Sequence, residues 1–497
     1  MAEIIPLFSK DLQINELTTL FLYICLLSIF LLSGKALRVK FKFFQRWFIP
    51  SSVIGGFIGL IFGPYLLGAF FSQFSPALTE TLFSIRSGFS FLPTRLIDVV
   101  FATMFIGITI PNPKKLIKSA GAQYVYAMAI GGPMQYVIAS IVTLFILIPF
   151  FKVDETFATI LAIGFCGGHG TASGMAQTFR GGYAALNWSF AEGADLLFTS
   201  ATVGILVSTI VGISLIKIGV KKGYSKLIKD VKYLPEETGT GIIPISEQYY
   251  IAKATVSPHS IEPFSFHVAI IFIAVFLGYL MDDGLALLGK SLTTITNVEM
   301  LTTVFKAIPT FPLAMVGGII VQAFFVKTNK YHLLDAKTVE RIRGVALDFL
   351  VVSAIASVSI PVVIHYFIPF SILLLAGTSY IVISTWFLAP KMLPQPWFER
   401  AIIEFGTQTG VTAMGLMLLR IVDPEFKTAA LEPFALKQMV YEPFFGGGFI
   451  TALTPLLILS MGLPTFLAIM LSISVIAIVL GILLGWFPNR ASYQNKG

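Results

Sequence analysis

Twenty-one consecutive residues, Leu196 to Ile216, carry no charged side chain. A helix that crosses a bilayer needs about 20 apolar residues, so this run alone restricts what the chain can fold into. It has company. Uncharged runs also lie between Arg46 and Glu80, between Lys118 and Lys152, and between Lys306 and Lys327. Phe349–Pro390 and Pro443–Asn489 are each long enough for two crossings, the first breaking near Pro369 and the second near Gly462 and Pro464. Only 12% of the 497 residues are charged, where a soluble chain carries about a quarter. The pattern predicts an all-α polytopic membrane protein. The first apolar segment, Leu17–Leu32, is followed by basic residues rather than a cleavage signal and reads as a retained span. Cys25 and Cys166 both sit in apolar segments and imply no disulfide framework.

Eleven spans are expected, centred near residues 25, 60, 102, 135, 205, 276, 318, 356, 379, 448 and 475. Two segments, about 157–190 and 397–430, are left over. With the first loop in the cytoplasm and both leftover segments returning to their own side, 27 of the 34 basic residues fall inside. That is the asymmetry of the positive-inside rule. It accounts for the net charge of +8 without a nucleic-acid partner. A single extra crossing at 157–190 would put the Lys-rich linker outside. So that segment is either a shallow re-entrant hairpin or two full crossings. The N-terminus is then outside and the C-terminus cytoplasmic.

The polar linker 221–264 divides the chain into an N-terminal part, 1–220, and a C-terminal part, 265–460; 461–497 is an additional span and tail. Pro50, Gly55, Gly56 and Ile58 match Pro312, Gly317, Gly318 and Ile320 in spacing. Phe165, Gly170 and Arg180 likewise match Phe405, Gly410 and Arg420. Matching elements lie five crossings apart, an odd number, so the two five-span halves are read as inverted repeats, each with one re-entrant segment. Inverted repeats with interrupted helices are a mark of secondary transporters, with the site at the repeat interface.

The first leftover segment has the tip Gly167, Gly168, His169, Gly170, Thr171, too rich in glycine for a stable helix. Broken backbone at membrane depth requires burial in protein or a wet cavity. Its free N–H groups suit an anionic substrate group, and its carbonyls suit Na⁺. The second tip, Gly406, Thr407, Gln408, Thr409, Gly410, offers hydroxyl, amide and backbone oxygens. A glycine packing face and an ordinary loop are the structural readings of these two stretches. Candidate Na⁺ ligands are Ser173, Asp195, Thr202 and Thr412. Asp98, Glu192, Asp195, Asp348 and Glu442 are ionisable residues at membrane depth, where a functional role is the default. Asp98 is read as opening the third span, and Asp348 has Arg341 and Arg343 as possible partners. Cys166 and His169 have the spacing of half a zinc site, but no second pair accompanies them.

At Gly167–Thr171 the chain resembles the bacterial sodium/glutamate symporter family, whose Gly-Gly-His-Gly-Thr string it reproduces. The likeness extends to Ile49-Pro50 with Gly55-Gly56, and to Ala201-Thr202 with Gly204. It spans roughly residues 15–460. The resemblance implies Na⁺-coupled uptake of a dicarboxylic amino acid, a homodimer in the cell inner membrane, and elevator-like motion of a core against a scaffold. The sequence departs from the family at the second tip, where Thr407, Gln408 and Thr409 stand in a stretch otherwise richer in glycine.

The reading is therefore a Na⁺-coupled symporter for glutamate or a related small anionic amino or carboxylic acid, with no cofactor besides the coupling ion. A proton-coupled or exchange carrier on the same scaffold, or a channel, stays open. An enzyme would need a nucleophile–base or metal cluster, and none stands out in the sequence.

Overall fold

The computed structural model describes residues 14–71, 75–108, 113–225, 227, 239–298 and 300–488. Residues 1–13 and 489–497, which belong to the first and last predicted segments, lie outside the described residues, as does most of 226–238 in the linker. The fold is all-helical. Among the described residues there is no strand, and an isolated bridge joins Tyr183 to Trp188. The main helices are α1 (Ile14–Lys40), α2 (Ser51–Phe62), α3 (Pro76–Ala102), α4 (Pro113–Ile130), α5 (Gly132–Val142), α6 (Ile160–Phe165), α7 (Gly168–Gly181) and α8 (Gly193–Lys221). There follow α9 (Pro263–Thr296), α10 (Thr310–Lys327), α11 (Ala336–Ala356), α12 (Phe367–Phe387), α13 (Trp397–Val422), α14 (Leu431–Tyr441), α15 (Phe449–Met461) and α16 (Leu463–Leu483).

Among the described residues, nine helices are long and apolar enough to cross a membrane. The expectation of eleven differs for identifiable reasons. Helix α3 holds Glu80, Arg86, Arg95 and Asp98, and α11 holds Lys337, Glu340, Arg341, Arg343 and Asp348, so both are long but charged. The predicted tenth span is split, because Gly446–Gly448 separates α14 from the 13-residue α15. Helix α13, expected to be re-entrant, is among the nine by length and composition. Span centres also move. Residues 102 and 356 are the last of α3 and α11, not their midpoints. Asp98 therefore ends the third helix rather than opening it. It is buried, with Tyr279 Oη (2.8 Å) and Thr310 Oγ1 (3.1 Å) donating to its carboxylate.

The helices gather into two bundles that do not follow the division of the chain. Helices α1, α2, α3, α9, α10 and α11 form the first. Helices α4–α8 and α12–α16 form the second. Each bundle thus mixes elements from before and after the linker. Glycines set the close approaches in the first. A Cβ at Gly55 would lie 2.6 Å from Phe30 O, and one at Gly317 would lie 2.1 Å from Ala274 O. The matched Pro-x4-Gly-Gly motifs are therefore packing surfaces for a neighbouring helix. Where the bundles meet, α7 rests on α3 and α11, with Gly170 against Ile97, and Gly174 meets Phe311 at the start of α10.

The last helix, α16, packs on α4 and α5, so it belongs to the second bundle. Ser474 Oγ donates to Met128 O (3.3 Å), and Phe466 meets Tyr136 edge-on. The described part of the linker is held to the ends of two first-bundle helices. Lys35 Nζ donates to Thr240 O and Gly241 O, and Lys253 N donates to Asp335 Oδ2.

The glycine contacts yield a stability prediction. Gly317→Ala forces its new methyl into the Ala274 carbonyl and is expected to cost about 1–3 kcal/mol. Gly284→Ala in α9, where nothing lies within 4 Å, serves as the control. Thermal unfolding in detergent should show a lowered Tm for the first variant only. Equal Tm values would refute the close packing.

Candidate functional site

Helix α8 acts as a spine for two helical hairpins. In the first, α6 climbs from Ile160, whose carbonyl accepts from Ser200 Oγ (3.1 Å), to Phe165 beside Gly204. The chain turns at Cys166–Gly168. Helix α7 then descends from His169 beside Thr202 to Phe179 beside Gly193. At its open end, Phe157 and Phe179 converge on Phe190, with ring centroids 6.4 and 6.0 Å away.

The second hairpin comes from the other end of the same spine. The first arm of α13 passes Phe398 against Gly219 and Gly406 against Ser208, and brings the Thr409 carbonyl to Gly204. Backbone helicity fails at Gly410 (φ −149°) and Val411 (φ 64°, ψ 172°). The second arm returns to place Leu418 against Gly212. The arms touch where a Cβ on Gly406 would lie 2.7 Å from Gly415 Cα. Val411 is strained, since a β-branched residue in this backbone region costs on the order of 1–3 kcal/mol.

The two tips meet halfway along α8. A Cβ on Gly168 (φ +61°) would lie 2.2 Å from Val411 Cγ1. Helix α7 starts at Gly168 and the second arm of α13 starts at Val411. Two helix N-termini, each with unpaired N–H groups and partial positive charge, therefore face one point. Anions bind at such ends.

Among the predicted residues, His169 Nε2 lies 3.0 Å from Thr202 Oγ1, and Ser173 Oγ donates to His169 O (2.5 Å). Both His169 and Thr171 are buried, and His169 Nδ1 and Thr171 Oγ1 have no partner. Thr407 and Thr409 donate their hydroxyls to Ile403 O and Phe405 O of their own arm. Thr412 Oγ1 accepts from Gln438 Nε2 (2.6 Å). Asp195 is not brought to the tips. It lies seven residues from Thr202, about 10 Å along the helix. Its Oδ1 takes Arg86 Nη2 of the first bundle (3.2 Å) and Ser359 N (2.9 Å).

Several residues at the site escape a reading of the sequence. Lys437 sits in a segment counted among the cytoplasmic basic residues, yet its side chain is fully buried. Its ammonium lies 2.8 and 3.0 Å from the two Glu404 oxygens, also fully buried. Gln123 Nε2 donates to Glu404 Oε1 (2.9 Å). Gln408 is held by Glu404 and by Tyr441 Oη, and its carbonyl accepts from Gln135 Nε2 (2.7 Å). Tyr441 Oη also caps the break between α4 and α5 by accepting from Gly132 N (2.6 Å). Gly447 (φ +111°) closes on Thr171, where a Cβ would lie 2.0 Å from Oγ1. Two glycine clusters, Gly131-Gly132 and Gly446–Gly448, were the visible signals for these walls.

A cavity of about 680 Å³ lies between Gln177–Ala184 of the first hairpin and Thr302–Thr310 of the first bundle. It sits at the open end of that hairpin, about two helical turns from the tip. None of the tip residues 167–171 or 406–410 lines it.

The Glu404–Lys437 pair carries a prediction. Lys437→Met leaves a buried carboxylate unpaired and should cost about 3–5 kcal/mol. The double variant Glu404→Gln/Lys437→Met should recover most of that. Thermal unfolding of purified protein measures both, and a double variant no better than the single one would contradict the pairing.

A family model described as sodium/glutamate symporter matches residues 12–413. No curated protein and no solved structure matches the chain. The match takes in α1 to α12, the whole first hairpin, and the second hairpin through its tip. It marks the chain as a multi-pass membrane transporter and not an enzyme, and the membership implies symport of Na⁺ with glutamate. With its helices, paired hairpins and this match over most of its length, the chain belongs to the sodium/glutamate symporter family.

Proposed function

We propose that this protein imports glutamate, or a close anionic relative, into the cell together with Na⁺, and that the tip contact is where the substrate binds. The observation that carries this is the meeting of two helix N-termini at Gly168 and Val411, beside unpartnered polar atoms on His169 and Thr171. Gly167–Thr171 and Gly406–Gly410 would supply the substrate's backbone and side-chain contacts. Ser173, Thr202 and Thr412 would offer hydroxyl oxygen to Na⁺. Asp195 is the weakest of the Na⁺ candidates, because it is engaged by Arg86.

The two bundles support an elevator reading, in which the second bundle carries the tips past the first as scaffold. The hairpins reach the middle of α8 from opposite ends, as inverted repeats would. We take the topology as eleven spans with re-entrant hairpins at 157–190 and 397–430, in the cell inner membrane. The N-terminus is outside and the C-terminus cytoplasmic in this reading, and the transporter is a homodimer.

Uptake into proteoliposomes tests the function. Labelled glutamate should accumulate only under an inward Na⁺ gradient. Each net charge carried gains about 2.3 kcal/mol per 100 mV of inside-negative potential. No accumulation would end the reading. Accumulation that persists with choline in place of Na⁺, under a pH gradient, would favour proton coupling. Gly168→Ala must place a methyl on Val411 from a backbone that disfavours it. It should reduce uptake about tenfold or more, with normal protein yield.

A further inference from the structure

Glu442 follows α14 directly and lies beside the second tip. Its carboxylate is half-buried and poorly satisfied. Oε1 accepts from Thr412 Oγ1 at 3.5 Å, and Oε2 accepts from Gln438 Nε2 at 3.3 Å. Both bonds are long for an ionised acceptor, whose charge-assisted bonds run near 2.7–2.9 Å. The short bond of the trio, 2.6 Å from Gln438 to Thr412, bypasses the carboxylate.

Two cations lie within electrostatic reach of Glu442, and neither neutralises it by contact. Lys437 is already taken by Glu404 and Gln438. Arg343 belongs to α11 of the first bundle, across the boundary. It gives Nη2 to Thr103 O at 3.4 Å and leaves Nε without a partner. A carboxylate beside the second tip and a guanidinium within its electrostatic reach thus both keep unused hydrogen-bonding capacity.

Two helix starts create a place for anions, and Glu442 puts a negative charge at its edge. A plain dicarboxylate would be repelled there, since like charges at close range disfavour binding. A ligand that brings its own cation would be attracted. An α-ammonium has three donors, and Glu442 has open acceptor positions for them. The ligand's carboxylates are then left for the helix starts and for Arg343.

We propose that Glu442 receives the substrate's α-ammonium and thereby selects an amino dicarboxylate over its desamino counterpart. This rests on the transport function proposed above. The test uses full-length protein in proteoliposomes under a Na⁺ gradient, with L-glutamate and glutarate as the two probes. Wild type should prefer glutamate. Glu442→Gln should weaken glutamate by about 10- to 100-fold, the worth of a lost hydrogen bond to a charged group, and leave glutarate unchanged or improved. Retained glutarate uptake shows that the variant is folded. Glu442→Asp should keep the preference for glutamate in reduced form. Should glutamate and glutarate weaken equally in Glu442→Gln, or only the Na⁺ dependence change, Glu442 is not the ammonium partner. The proposal also fails if Glu442→Gln leaves the preference intact. If wild type takes up neither probe, it is the transport function that fails.

Discussion

Two hairpins can share one spine because α8 is narrow where they touch it. Gly193, Gly204, Gly212 and Gly219 each face a hairpin, and at Gly204 any side chain would strike the Thr409 carbonyl. Association of helices in lipid draws little from the hydrophobic effect and depends on close packing of this kind. The stripe brings broken backbone from two directions into the middle of a protein-lined region. A lipid environment would leave those broken ends without partners. The spine thus permits the tips to exist where they do. The second bundle then covers them: Gln135 reaches the Gln408 carbonyl, Tyr441 reaches Gly132, and Gly447 closes over Thr171.

Much of this organisation was legible in the sequence, for physical reasons. Uncharged runs announce crossings, and five glycines near residue 167 announce a break. What stayed hidden was mostly pairing across long sequence distance. Lys437 looks like any loop lysine until Glu404, 33 residues away, is folded against it. The charged helices α3 and α11 shifted the expected span centres, because their first halves carry polar residues that an apolarity reading skips. The roles of Gly131-Gly132 and Gly446–Gly448 could not be separated from ordinary turns without knowing what they touch. In the sequence the second hairpin rests mainly on its alignment to the first. Its reversal at Gly410–Val411 places a valine where a glycine would be natural.

The polar groups divide by bundle. Within the second bundle, the Glu404–Lys437 pair binds Gln123 and Gln408 into one buried network around the second hairpin, with the Gln123 Oε1 left unpartnered. Between the bundles, Arg86 Nη2 reaches Asp195 Oδ1 and Arg180 Nη1 reaches Ser90 O, each at 3.2 Å.

The contact between Gly168 and Val411 has a further consequence. Among the described residues no hydrogen bond links one tip to the other; they meet through a valine methyl and bare backbone. Dispersion contacts are worth only about 0.1–0.2 kcal/mol per atom pair. Each end is bonded instead to the helices around it, Gln408 to Gln135 and Tyr441, Thr412 to Gln438, and His169 to Thr202. The two ends are fastened to the walls and not to each other, so separating them would break no hydrogen bond between tip and tip.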